Sequence, residues 1–87
     1  MKLHEIKLMS EYAKAKASGL KPFEIRKNDR DYKVGDLVRY IVPDDKDLNR
    51  RFAKVLYQIL YITDYEQKDG YVVFSDRYVS TLDSLGE

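Results

Sequence analysis

The chain has no cysteine, no tryptophan and a single histidine, His4. Without cysteine there can be no disulfide, no thiolate zinc site and no cysteine nucleophile. One histidine cannot build a histidine-rich metal centre, so neither a metal nor another cofactor is expected. Nowhere are there the ~18 consecutive apolar residues of a membrane helix, and the first twenty residues hold no apolar run of the signal-peptide kind. A cytoplasmic chain without a membrane partner is the expectation. Excess charge is missing too: 16 basic residues face 15 acidic ones, for a net charge of +1. Binding to nucleic acid through gross positive charge is therefore excluded, and any such contact needs a local patch.

What the chain does have is tyrosine, eight against three phenylalanines, in 87 residues that are 44% hydrophobic. A chain of this size fits one domain, residues 1–87, burying only about 60% of its unfolded surface. Tyrosine pairs a stacking face with a hydroxyl that needs a partner. It suits the half-exposed faces of a small β domain and also the walls of a cleft.

Along the chain, His4, Ile6 and Leu8 alternate with Leu3, Glu5 and Lys7, which reads as an opening strand. Ser10 is placed to cap a helix with Glu11 in its first turn, and the alanines at 13, 15 and 17 favour close packing. Gly19 suits the left-handed residue that ends such a helix, with Leu20 completing a Schellman motif. Lys21 precedes Pro22 and is pushed into extended geometry, so a strand follows from Phe23 to about Lys27. Asn28 to Asp31 is turn-rich, and Val34-Gly35-Asp36 makes another turn before a strand from Leu37 to Val42, closed by Pro43. Residues 44–51 are nearly all polar and read as a solvated loop.

Phe52 to Ile62 fits two patterns. Phe52, Val55, Leu56, Ile59 and Leu60 fall at helical spacing, yet the run is rich in β-branched and aromatic residues on both alternating faces. Asp69-Gly70 turns the chain into a strand, Tyr71 to Phe74. After Ser75 a tail remains in which Tyr78, Leu82 and Leu85 can line a short helix. The expected class is mainly β (α+β): about five strands with one early helix, in a small, mostly antiparallel barrel or rolled sheet.

The most informative stretch runs from Gly19 to Arg30. If the segment after Pro22 is extended, Phe23 and Ile25 point one way and Glu24 and Arg26 the other. The expectation is that the apolar pair anchors the core while the acid and guanidinium face a cleft, with the Lys21 ammonium at its rim. Across residues 21–33 five cations meet three acids, a local net charge of +2. The bland alternative for Glu24 and Arg26 is a surface ion pair worth about 0.2–1 kcal/mol. Asn28 reads as a turn-former rather than a ligand contact.

Gly19-x-Lys21-x-x-Glu24-x-Arg26 is similar to the signature of the ASCH (activating signal cointegrator homology) domain, a branch of the PUA-like β-barrels. Lys27-Asn28-Asp29-Arg30-Asp31-Tyr32-x-Val34-Gly35-Asp36 resembles a small, uncharacterised bacterial and phage branch more closely still. His4 with Lys7, and Tyr61-Ile62-Thr63-Asp64-Tyr65 running on to Gly70-Tyr71-Val72-Val73, share that likeness, which covers most of residues 3–74. The resemblance implies a PUA-like barrel of five to six strands, with one N-terminal helix beside a cleft lined by Lys21, Glu24 and Arg26. It also implies that residues 52–62 are strand. Binding of RNA or a modified nucleotide is the function it implies, although fold analogy alone is a weak warrant.

In such a cleft Arg26 can hold a phosphate or the Hoogsteen edge of a guanine in two parallel bonds. Glu24 can orient that fork or accept from a base amino group, and Lys21 can place a point charge on a phosphate. Arg30 extends the positive character; Tyr32 and Tyr65 read either as packing residues or as platforms for stacking on a base, and His4 either as a hydrogen-bonded histidine at the core margin or as a cleft contact. The alternative function is a small amidohydrolase or other hydrolase acting on a modified nucleoside or RNA. One ASCH branch is an acetylcytidine amidohydrolase with Lys and Thr three positions apart in the motif. Here Lys21 is kept but Glu24 stands where the threonine would be, so a hydroxyl nucleophile is missing and Glu24 would have to act as a base towards water. Asp64 and Glu66 are the candidate partner acids. A third class, a protein–protein adaptor, is favoured by no residue.

Overall fold

Residues 1–81 are described in a computed structural model of the chain. Alternating side chains form five strands, and two short helices cover the sheet. The elements in order are β1 (Leu3–Lys7), α1 (Ser10–Ala17), β2 (Phe23–Lys27), β3 (Leu37–Ile41), α2 (Lys46–Phe52), β4 (Val55–Thr63) and β5 (Tyr71–Thr81). They assemble as one curled half-barrel in the order β1-β3-β4-β5-β2, so β1 and β2 are its two free edges. β1 runs parallel to β3, with Leu3 opposite Leu37, and the other pairs are antiparallel. Register shifts at Leu56/Tyr57 and Ile59/Tyr61 mark bulges in the long β4–β5 ribbon, which curve it. Among the described residues no helix is long and apolar enough to cross a membrane.

Period-2 patterning gives the sheet one buried face. Ile6, Leu8, Val38, Tyr40, Val42, Ile59, Val72 and Phe74 all lie on it and form the core. α1 ends as its sequence dictates. Gly19 takes φ +79°, its N–H donates to the Lys16 carbonyl, and the Leu20 N–H reaches back to Ala15, closing a Schellman motif. The Leu20 side chain stays in solvent instead of folding back.

Four expectations need correction. Residues 44–51 are not all loop: Asp45 caps α2 by accepting the Leu48 N–H, and Leu48 and Phe52, four apart, bury one side of it. With two apolar residues in seven, the helical period is too sparse to read, and the described residues hold two helices rather than one. Phe52 closes α2, and the strand begins only at Val55. Residues 75–81 are strand rather than helix, because β5 continues along β4 to Thr81, opposite Val55. The helical reading of Leu82 and Leu85 lies outside the described residues. Ser10 is not the cap of α1. Met9 occupies that position, while the Ser10 N–H and hydroxyl both donate to Asp44, whose carboxylate takes over the helix end.

The faces of β2 are also reversed. Glu24 lies opposite Phe74 and Arg26 opposite Val72, so the polar pair shares the core face. Glu24 is 2% exposed, whereas Phe23 and Ile25 are 41% and 56% exposed on the outer face. Hydrophobicity alone would choose the opposite register. The inner register prevails because α1 supplies a buried ammonium, from Lys16, that compensates the carboxylate. The expected result is that Ile25→Thr shifts stability by less than about 0.5 kcal/mol. Ile59→Ala, at the centre of the core, should cost about 2–5 kcal/mol in the same urea titrations.

Candidate functional site

Each polar residue of the site is placed by a local device. Pro22 starts β2 in extended geometry, so Glu24 and Arg26 project from the same face two residues apart. Lys21 sits just before the strand and swings back along it. Its Nζ donates to Glu24 Oε2 at 2.8 Å and to the Phe23 carbonyl at 3.0 Å, a main-chain acceptor left open at the sheet edge. Arg26 presents its side edge to Glu24 Oε1, with Nε at 3.3 Å and Nη2 at 3.1 Å. Lys16 approaches from α1, with Nζ 3.1 Å from Glu24 Oε2.

Glu24 is therefore held on both oxygens. Three N–H groups, one from Lys21 and two from Arg26, donate to its carboxylate, and the Lys16 ammonium adds an ion pair at Oε2. Burial pushes its carboxyl pKa up, but the Lys21 hydrogen bond and the charges of Lys16, Lys21 and Arg26 outweigh that and hold it below the ordinary value. It is ionised at neutral pH and takes up a proton only in acid.

Behind Glu24 lies a second layer that the sequence reading missed. Lys16, 4% exposed, bonds both oxygens of Asp76 at 2.9 and 3.1 Å and the main-chain carbonyl of Lys21 at 3.0 Å. Its ammonium also lies 5.0 Å from the ring centre of Tyr40 and 5.4 Å from that of Tyr57. The Tyr40 hydroxyl donates to Asp76 Oδ2. Burial, the Asp76 and Glu24 charges and the bond to Asp76 place the Tyr40 phenol far above its ordinary pKa. Burial and the Asp76 charge push Tyr57 up to about 12. Among the described residues no buried side-chain nitrogen or oxygen lacks a hydrogen-bond partner. Signals for these residues did exist. Asp76 continues the alternation Val72, Phe74, and Tyr40 sits between Val38 and Val42, so each could have been read as inward-facing.

In front of Glu24 is a concave pocket of about 510 Å³ at the open seam between the two edge strands. Lys7 and Leu8 contribute from the end of β1, Met9 and Tyr12 from the start of α1, and Lys21, Phe23, Glu24, Ile25 and Arg26 from β2 and the segment before it. The walls are largely apolar and two are aromatic. The Lys21 ammonium lies 5.5 Å from the Tyr12 ring centre and 5.2 Å from that of Phe23. Lys21, Glu24 and Arg26 thus meet in one hollow, as the sequence suggests, while Tyr12, Phe23 and Lys7 are additions to it.

The other four candidates lie elsewhere. His4 is buried, with Nε2 2.7 Å from Asp36 Oδ2 and its ring packed edge-on to Tyr32 at 4.8 Å. Asp36 also accepts the N–H groups of Lys2 and Lys33, so this cluster staples the 28–36 loop to β1. Burial raises the Asp36 pKa, but the His4 bond and the two main-chain donors prevail and hold it low. Tyr32 is a core residue between His4 and Phe74, its N–H bonded to Asn28 Oδ1, and burial raises its phenol pKa. Arg30 is exposed on the loop, and Tyr65 is 77% exposed in the β4–β5 connection; neither lines the pocket. Among the described residues no group of three His, Cys, Asp or Glu side chains could hold a metal ion.

The fold and site together define a curled five-stranded half-barrel with a donor-lined pocket where its two edges face each other. The chain belongs to the family described as DUF3850, a domain of unknown function, whose match spans residues 3–75. No curated protein matches it. It is similar in structure to the crystal structure of hypothetical protein PH0355, with a TM-score of 0.62 and 18% sequence identity over 91% of this chain and 100% of that one. At that identity the likeness concerns the fold.

Proposed function

We propose that this protein is an ASCH-like, PUA-like module that binds RNA or a modified nucleotide in the pocket between β1 and β2. One observation carries the reading: Lys21 and Arg26 are locked against a buried Glu24 in a largely apolar, partly aromatic pocket. Its volume of about 510 Å³ falls in the range of sites that take one small organic ligand, about 300–1,000 Å³. The buried carboxylate removes the freedom of two long cationic side chains before any ligand arrives, which lowers the entropy lost on binding. Tyr12 and Phe23 offer flat apolar surface for a base or sugar.

The hydrolase reading has less support. Glu24 is the acid closest to Lys21, and its carboxylate is held ionised by three cations. A buried base with a lowered pKa and both oxygens engaged by cations is a poor acceptor for a proton from water.

The test is a titration of single-stranded RNA and a panel of nucleotides at low and at moderate salt, with Lys21→Ala and Arg26→Ala alongside the natural chain. Binding that weakens with salt and is lost in both variants is the expected result. Flat titrations across the panel at low salt would sink the proposal.

A further inference from the structure

Resting on the nucleotide-binding reading, the geometry points to a base selected by its acceptor edge: guanine, read by the outer fork of Arg26. The guanidinium has five N–H groups in a fixed plane. Its side edge, Nε and the near hydrogen of Nη2, is taken by Glu24 Oε1. The end-on edge, formed by Nη1 and the far hydrogen of Nη2, has no bonding partner among the described residues. That leaves two parallel donors on a group whose plane Glu24 fixes.

The basic side chains lining the pocket, Lys7, Lys21 and Arg26, offer donors alone. Lys21 has used two of its three N–H groups, on Glu24 and on the Phe23 carbonyl. Lys7 adds a second ammonium at the rim. Glu24, the one acid lining the pocket among the described residues, is 2% exposed with both oxygens already engaged by cations, so a ligand finds little of it to donate to. A base edge carrying an exocyclic amino group, as in adenine or cytosine, would set that amino group against N–H donors. Guanine instead turns two adjacent acceptors, O6 and N7, towards a bidentate arginine. The ammonium groups of Lys21 and Lys7 then remain for the phosphate. Glu24 is accordingly a positioning residue that sets selectivity by being unavailable.

The experiment is calorimetric titration of the natural chain with the 5′-monophosphates of guanosine, inosine, adenosine, cytidine and 7-methylguanosine at low salt. Guanosine and inosine monophosphates, which share O6 and N7, should bind at least about tenfold more tightly than the adenosine and cytidine compounds. The 7-methyl compound, with N7 blocked, should fall to the weaker group. Arg26→Lys should keep affinity for the phosphate and erase the preference, since an ammonium cannot reproduce the fork. Equal binding of all five compounds, or a preference retained in Arg26→Lys, would overturn the base assignment while leaving the nucleotide reading in place. Absence of binding by every compound and by single-stranded RNA would overturn both.

Discussion

Replacing Lys16 by methionine should lower the unfolding free energy by about 3–5 kcal/mol, although residue 16 lies on a short helix of only eight residues. The change keeps most of the side-chain bulk and deletes the charge. Asp76 and Glu24 would then share a dry interior without the cation that lies between them at 2.9 and 3.1 Å. The loss exceeds that of an ordinary surface lysine because both acids are buried, and an unpaired buried carboxylate either loses its solvation or takes up a proton. For a domain of this size such a change moves the melting temperature by more than about 12 °C. Thermal unfolding followed by circular dichroism measures it. Adding Asp76→Asn to Lys16→Met should restore part of the loss, since the amide can still accept the Tyr40 hydroxyl without a charge. A Lys16→Met protein as stable as the natural chain would show that the ammonium does not hold the interior together.

The second large effect is expected in acid. Glu24 is held below its ordinary pKa of 4.5, and Asp36 below its ordinary 3.8, in the folded chain. As the pH falls, the unfolded chain takes up these protons first, so folding is progressively disfavoured. The stabilisation from each group is complete above its unfolded value and is lost as the pH drops through the folded one. Urea midpoints should therefore fall steeply between about pH 5 and pH 3. Glu24→Gln should cost about 3 kcal/mol at neutral pH, because Lys16, Lys21 and Arg26 lose the charge that compensates them. It should also flatten the acid decline, leaving mainly the share of Asp36. If Glu24→Gln declines as steeply as the natural chain, the acid sensitivity arises elsewhere.

The strands were readable because alternation is a local property. His4, Ile6 and Leu8 gave one edge, Val38, Tyr40 and Val42 the centre, and Asp69-Gly70 the last turn. The hollow shared by Lys21, Glu24 and Arg26 was also legible, because Pro22 fixes the register of that strand. Its direction was not. Which face of Phe23–Lys27 turns inward depends on a lysine seven residues before the strand and an aspartate nearly fifty residues after it. Neither has a sequence signature that separates it from a solvated charge. For His4 and Tyr32 the sequence offers a place in the core beside a place in the cleft, and in the fold each finds its partner in the core, Asp36 and Phe74 respectively. α2 escaped notice because its register rests on two buried side chains and one capping aspartate.

The strand order β1-β3-β4-β5-β2 bears on how the molecule comes together. The three central strands are joined in succession and can zip up through connections of modest length. The two outer ones cannot: β1 must wait for β3, and β2 for β5, across far longer stretches of chain. Because the pocket lies where those outer strands face each other, it exists only once the last pieces have docked. A chain halted before Asp76 would lack the acid that draws Lys16 into place, so an intact pocket reports on completed folding and not merely on a formed sheet.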